Sequence, residues 1–269
     1  MRKVHEVHAF IGPGLLGNPA GVTFVADWPD DEEMQEVAAF VGYTETAFLR
    51  AEEGGWEIRW FTPTIEVELC GHATLASALV IFEKGHAGDE IIFRSRFAGT
   101  LPVRRAGDRM ALDFPTASVQ PTSGAGMAEA LGAEPLETFA GLSHLAVFRD
   151  EAAVRALKPN GERIRGLGLD GVIVTAPGRG GVDFVSRYFV PTAGIPEDPV
   201  TGYAHTILAP FWAERLGRQS LVGRQVSTRG GEMRCRLEGD RVLLSGKARR
   251  AAVREVVLPH EMPEGEVVA

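Results

Sequence analysis

One motif occurs twice in this chain. Arg59-Trp-Phe-Thr-Pro-Thr leads into Glu68-Leu-Cys-Gly-His-Ala-Thr74, and Arg187-Tyr-Phe-Val-Pro-Thr leads into Asp198-Pro-Val-Thr-Gly-Tyr-Ala204. Arg59, Phe61, Pro63 and Thr64 stand 128 positions before Arg187, Phe189, Pro191 and Thr192, and the same offset sets Cys70 against Asp198. Three residues later the offset becomes 131, pairing Gly71 with Gly202 and Ala73 with Ala204. A strand, a turn and a helix start retained at one period mark a repeated supersecondary unit. The chain is therefore expected to be two copies of one fold, each with the length of an ordinary domain.

Periodicity fills in each copy. Val4 to Ile11 and Val22 to Ala26 read as strands around a Gly/Pro/Asn-rich loop, Asp31 to Phe40 as a helix, and Glu45 to Leu49, Trp56 to Phe61 and Ile91 to Arg94 as further strands. A helix from about His72 should end at Gly85. The second copy repeats the order: strands at Leu142 to Phe148, Gly171 to Thr175 and Phe184 to Val190, then a helix from Tyr203 to Leu216 stopped by Gly217. Strands at Val226 to Ser227, Met233 to Leu237 and Arg241 to Ser245 close the sequence. Ala204, Ile207, Leu208, Phe211 and Trp212 leave the second helix almost no polar face, so it should be enclosed by its sheet. The expected class is α+β: two pseudo-symmetric domains, 1–116 and 127–269, each a curved antiparallel sheet or barrel around a central helix. Residues 117–126 would link them, and the C-terminal tail is free to return to the first half.

Bulk properties exclude several classes. Hydrophobic residues make up 45% and charged residues 24%, enough to bury two cores, and a net charge of −8 without a basic run argues against nucleic acid. The cluster Arg249-Arg250 with Arg254 reads as a solvated face. There is neither an 18-residue apolar run nor an apolar signal core after Met1, which gives a cytoplasmic protein with no membrane partner as the expectation. Two cysteines cannot make a disulfide scaffold or a paired metal motif. Gly12-Pro-Gly-Leu-Leu-Gly17 spells G-x-G-x-x-G, yet a strand rather than a helix follows it, so a hairpin loop is expected instead of a dinucleotide site. His5 and His8, three apart on a strand, face opposite ways and do not converge on a metal.

The candidate chemistry lies at the repeated helix starts. Gly71 and Gly202 deliver the chain to helix N-termini, whose first amides lack partners and whose dipole favours anions, so both could hold a small carboxylate; the plainer reading is that each glycine only permits a tight turn. His72, beside Cys70-Gly71, is either a packing histidine or a proton carrier, and Asp198 would present a carboxylate from the other copy. Glu45 is a lone acid in an apolar strand. Facing inward, its pKa would rise and it would exchange protons near neutrality; facing outward, it is an ordinary surface acid. Cys70 is a thiolate candidate, but with Asp198 at the corresponding offset a two-thiol mechanism is excluded. Cys235, between Arg234 and Arg236, reads as structural.

Taken together, Asn18-Pro-Ala-Gly-Val22, Glu45-Thr-Ala-Phe48, Phe61-Thr-Pro63, Glu68-Leu-Cys-Gly-His-Ala-Thr74, Asp113-Phe-Pro115 and Asp198-Pro-Val-Thr-Gly202 resemble the phenazine-biosynthesis isomerase-like family, relatives of diaminopimelate epimerase. The similarity spans nearly the whole chain. It implies a site without cofactor or metal in a cleft between the two domains, a homodimer, Glu45 as the proton-moving acid, and His72 and Asp198 as site residues. It also places Asn18, Cys70, Gly71, Gly202 and Tyr203 against the substrate. Tyr203 stands where many members, the phenazine enzyme included, carry serine. The function expected on these grounds is a cofactor-independent isomerase shifting a proton on a small carboxylate-bearing metabolite. The rival readings are a non-catalytic small-molecule binding protein and an amino-acid epimerase.

Overall fold

The computed structural model describes residues 2–258. In chain order the elements are β1 (Arg2–Ile11), β2 (Asn18–Val25), α1 (Asp31–Val41), β3 (Glu45–Glu52), β4 (Gly55–Phe61), β5 (Glu66–Val67), α2 (Gly71–Glu83), β6 (Glu90–Ser95), β7 (Gly99–Ala106) and β8 (Arg109–Pro115). They continue as β9 (Gln120–Pro121), α3 (Met127–Leu131), β10 (Glu137–Ala140), β11 (His144–Val147), α4 (Glu151–Ala156), α5 (Gly161–Arg165), β12 (Val172–Pro177) and β13 (Phe184–Phe189). After a single 3-10 turn at Pro191–Ala193 come α6 (Gly202–Leu216), β14 (Ser220–Gln225), β15 (Gly231–Glu238) and β16 (Arg241–Val256). The chain divides into two compact units. Among the described residues, unit 1 holds 2–9, 19–112 and 247–258, and unit 2 holds 10–18 and 113–246. Two points differ from the sequence expectation: 10–18 joins the second unit, and 117–126 is no free linker, since β9 pairs with β10 inside unit 2; the tail from Lys247 returns to the first unit.

In unit 1 the strands run β1-β2-β3-β4-β6-β7-β8, and β16, paired with both β8 and β1, closes them into an eight-stranded barrel. Closure removes the free sheet edges that would otherwise template association. The helix α2 packs on β3 and β7, and nine of its 13 residues are buried. Small residues such as Ala73, Ala76 and Ala78 let the sheet approach, while the Thr74 and Ser77 hydroxyls donate to the carbonyls of Cys70 and Ala73 at 2.7 Å, so no buried hydroxyl is left unpaired on that helix. On the other side of the sheet α1 starts at Asp30, whose carboxylate accepts from the Glu33 amide at 2.7 Å, and it buries Met34, Val37 and Ala38 with Phe48, Phe61, Val256 and Leu258.

Unit 2 is laid out on the same plan, in the order β16-β15-β14-β13-β12-β11-β10-β9. In unit 1, β2 and β3 are parallel, β3 and β4 antiparallel, β4 and β6 parallel, β6 and β7 antiparallel. The sequence β11, β12, β13, β14, β15 repeats those four relations in turn. The parallel pairs span a helical connection in both units, as parallel pairing requires. In β14, Gly223 sits opposite Phe184 because a Cβ there would meet the Phe184 ring at 2.4 Å. That interior glycine hides β14 from a periodicity reading, and the strand lies at Ser220–Gln225, not at Val226–Ser227. The helix α6 contains Pro210, which has no N–H for the Thr206 carbonyl; the Ala117 amide takes that carbonyl instead at 3.1 Å.

Candidate active site

The start of α2 brings together three of the sequence candidates. Glu45 opens β3, directly beside β2, and Cys70 and His72 occupy the N-cap and second positions of α2. His72 Nε2 lies 3.2 Å from Glu45 Oε2 and 3.3 Å from Thr44 Oγ1, while His72 Nδ1 lies 3.4 Å from Cys70 Sγ. Thr44 Oγ1 donates its hydrogen to the Pro19 carbonyl at 3.0 Å, so toward the ring it acts as acceptor. In the neutral tautomer with its proton on Nε2, the ring donates to Thr44 Oγ1 and Nδ1 offers its lone pair to the thiol.

Glu45 faces inward, with 20% of its side chain exposed. Burial pushes its carboxyl up to about 7, against a smaller downward pull from the Thr44 and Cys70 side chains beside it. Its Oε2 lies near the imidazole but not in hydrogen-bonding alignment, so this buried oxygen remains unsatisfied. An acid with a pKa near neutrality beside a ring whose tautomer is set can both give and take a proton at pH 7. Among the described residues, Glu45, Cys70 and His72 are the group whose donor atoms come within 4.8 Å of one another. The imidazole faces the thiol with Nδ1 and the Thr44 hydroxyl and Glu45 carboxyl with Nε2, and the Cys70 side chain also bonds the carboxyl, so the three groups are mutually adjacent. A cavity of about 270 Å³ in unit 1 lies elsewhere, lined by Phe82, Arg105, Arg109 and Met110, and shares no residue with this cluster.

In unit 2 the start of α6 carries Asp198, Asn18, Gly202 and Tyr203 in two adjoining networks. Asn18 is fully buried and donates to Asp198 Oδ1 at 2.8 Å and to the Val200 carbonyl at 3.0 Å; Thr201 Oγ1 donates to Asp198 Oδ2 at 2.6 Å. Gln225 clamps the turn, donating to the Asp198 carbonyl at 2.6 Å and accepting from the Thr201 amide at 2.9 Å. The Tyr203 hydroxyl reaches Ser143 at 3.3 Å, and Ser143 in turn meets Tyr188 at 3.0 Å. Burial raises both phenol pKa values above the ordinary one, so the hydroxyls stay protonated donors.

The structure corrects the pairing of Cys70 with Asp198. Trp60 pairs with Val67 and its counterpart Tyr188 with Asp198, so Asp198 corresponds to Val67. The Arg59–Glu66 pair recurs as Arg187–Glu197, which fixes the same register. The three extra residues thus enter before Asp198, and the residue matching the N-cap Cys70 is the N-cap Thr201. Thr44, Thr201, Gln225, Ser143 and Tyr188 were not among the sequence candidates. A threonine immediately before a helix-starting glycine is an N-cap signal that would have found Thr201; the others are placed by tertiary pairing that no local pattern encodes. Gly12–Gly17 forms the loop between β1 and β2, with Gly12 bridged to Leu15. Cys235 is buried and its thiol is pushed up to about 12 by desolvation, which makes it inert. Arg250 and Arg254 pair with Glu83 and Glu6 at 3.0 and 3.1 Å. No helix among the described residues is long and apolar enough to cross a membrane.

Residues 7–254 match the family model described as phenazine biosynthesis-like protein. An uncharacterized isomerase of Pseudomonas aeruginosa is 44% identical over 246 residues, which is 91% of this chain and 95% of that one. The human phenazine biosynthesis-like domain-containing protein is 34% identical over 270 residues, covering 89% and 93%. Among solved structures, a phenazine biosynthesis protein of the PhzF family from Enterococcus faecalis has a TM-score of 0.90 at 38% identity, with 96% of this chain and 99% of that chain covered. A hydroxyproline epimerase from Agrobacterium vitis reaches 0.63 at 12% identity over 95% and 90% of the chains, a likeness of fold alone.

Proposed function

The chain belongs to the phenazine biosynthesis-like family and is an isomerase, and we propose that it shifts a proton on a small carboxylate-bearing metabolite with Glu45 as the proton-transfer group. The observation that carries this reading is the Glu45 carboxyl raised to about 7 and set 3.2 Å from His72 Nε2. Glu45 takes the substrate proton from one carbon and returns it to another, and His72 steadies the charge as the carboxyl empties and refills. No electrons leave the substrate, so the proposed step draws on no redox cofactor. First-turn amides of α2, opened by Gly71, would receive the substrate carboxylate. Asp198, gripped by Asn18 and Thr201 at the start of α6, is the acid/base candidate of the second unit, with Gly202 and Tyr203 beside it. Tyr203 in place of a small serine points to a substrate different from that of the phenazine enzyme.

The test is solvent exchange. Anthranilate-like and amino-acid-like carboxylates are incubated with the protein in deuterated water and followed by proton NMR. Glu45→Gln keeps the side-chain shape but cannot cycle a proton, and general acid–base catalysis contributes about two to four orders of magnitude. Exchange should fall by that much in a variant whose circular dichroism is unchanged. Full exchange by the folded variant would remove Glu45 from the mechanism.

A further inference from the structure

We propose that Cys70, His72 and Glu45 form a thiol–imidazole–carboxyl triad that makes Cys70 a nucleophile toward activated acyl groups, an activity beyond proton transfer. A nucleophile within hydrogen-bond reach of a base that is oriented by a third group is the arrangement that activates thiols and hydroxyls. Here Sγ stands 3.4 Å from Nδ1, and Nε2 faces Glu45 at 3.2 Å and Thr44 at 3.3 Å. With the Thr44 hydrogen on the Pro19 carbonyl, the ring tautomer protonated at Nε2 donates to Thr44 and turns the Nδ1 lone pair toward sulfur, the tautomer a general base needs. Cys70 is also the N-cap of a 13-residue helix with no side-chain cap bond, so developing thiolate charge meets the positive end of α2. The titratable groups facing the thiol are His72, on its own helix, and Glu45, on β3.

The step balances without a further reagent. The thiol proton passes to Nδ1, Sγ bonds to the acyl carbon, the bond from that carbon to the leaving oxygen breaks, and the leaving oxygen takes the proton from Nδ1. Water then cleaves the thioester and restores the thiol. Cys235 is the internal control: it is equally buried but has no imidazole partner among its described contacts, and its thiol is held up at about 12.

This inference shares residues with the isomerase reading but is read without an isomerase substrate, so the two can fail separately. The full chain is treated with iodoacetamide from pH 6 to 8.5, and alkylation of each cysteine is followed by peptide mass spectrometry, with N-acetylcysteine as reference. A free thiol of pKa about 8.5 loses roughly a hundredfold in rate as the pH is lowered from about 8.5 to about 6. Cys70 is expected to lose less than about tenfold, to react well ahead of Cys235, and to gain an acetyl group from p-nitrophenyl acetate. His72→Asn should restore the steep dependence. A Cys70 profile parallel to N-acetylcysteine in the wild-type protein, or Cys70 modified only after denaturation, overturns the proposal even if His72→Asn does not fold. An unchanged shallow profile in a folded His72→Asn variant overturns it as well.

Discussion

Glu45 is a residue the fold tolerates at a cost. Its carboxyl is raised from an ordinary value of 4.5 to about 7, so between those values the native state holds a proton that the unfolded chain has released. For an acid with a raised pKa, stability therefore falls as pH climbs through that window, and the whole penalty is present above pH 7. Glu45→Gln removes it. The variant should be more stable than the parent by about 3 kcal/mol at pH 8 and by under about 1 kcal/mol at pH 5, an upper bound because the Thr44 and Cys70 side chains already offset part of the burial cost. Urea unfolding at the two pH values measures this; equal gains at both would show that Glu45 is not held in a desolvated site. Stability gained where chemistry is lost is the usual signature of a functional group. This much was half legible beforehand. An acid in an apolar strand suggested the site, but the direction it faced came only from the β2–β3 pairing that puts it beside Thr44 and α2. The partner in the second copy was misread because a fixed offset cannot say where an insertion falls; strand pairing can, and it moves the match of Cys70 from Asp198 to Thr201.

At the scale of elements, the repeat was legible because its constraint is physical in both copies. Arg59 grips Glu66 with two bonds at 2.8 and 2.7 Å, and Arg187 grips Glu197 with two at 2.8 Å, each tying the strand before the turn to the segment that feeds the helix. A planar guanidinium matches a carboxylate in this way and an ammonium does not. Arg187→Met would leave Glu197, 18% exposed, without its counter-ion, and should cost about 2–4 kcal/mol. The loss should be local first: amide exchange across 190–200 is expected to quicken before β12 or β13 is affected. Wild-type protection through that loop in the variant would mean that Gln225, not Arg187, holds it. Strands without an apolar rhythm were not legible. β7 buries only Leu101 and Val103 among its eight residues, and β10 consists of four half-buried or exposed ones, so neighbouring strands, not local pattern, bring them into the sheet.

At the scale of the molecule, the sequence yields two copies, but not how the chain is shared between them. Apolar content and the repeat predict two cores; they do not encode that the last strand completes the first barrel. β16 supplies Arg241 to Gly246 to unit 2 and continues from Lys247 into unit 1, and along its length it pairs with β8 and β1. Val256 and Leu258, 3% and 2% exposed, then enter the core of Val4, Met34, Val37, Phe48 and Phe61. Ending the chain at Gly246 would strip that core of both side chains and leave β1 without its β16 partner, an edge that templates another molecule. The truncated protein is expected to lose cooperative unfolding of unit 1 and to aggregate at micromolar concentration, as seen by calorimetry and light scattering. Val256→Ala isolates the packing contribution without opening the barrel. Deleting buried methyl groups there should cost about 2 kcal/mol, at the low end for large-to-small core changes, while leaving the protein monodisperse. A truncated chain that unfolds like the parent would show that the barrel closes without its eighth strand, and an unaffected Val256→Ala would show that the tail lies on the barrel without packing into it.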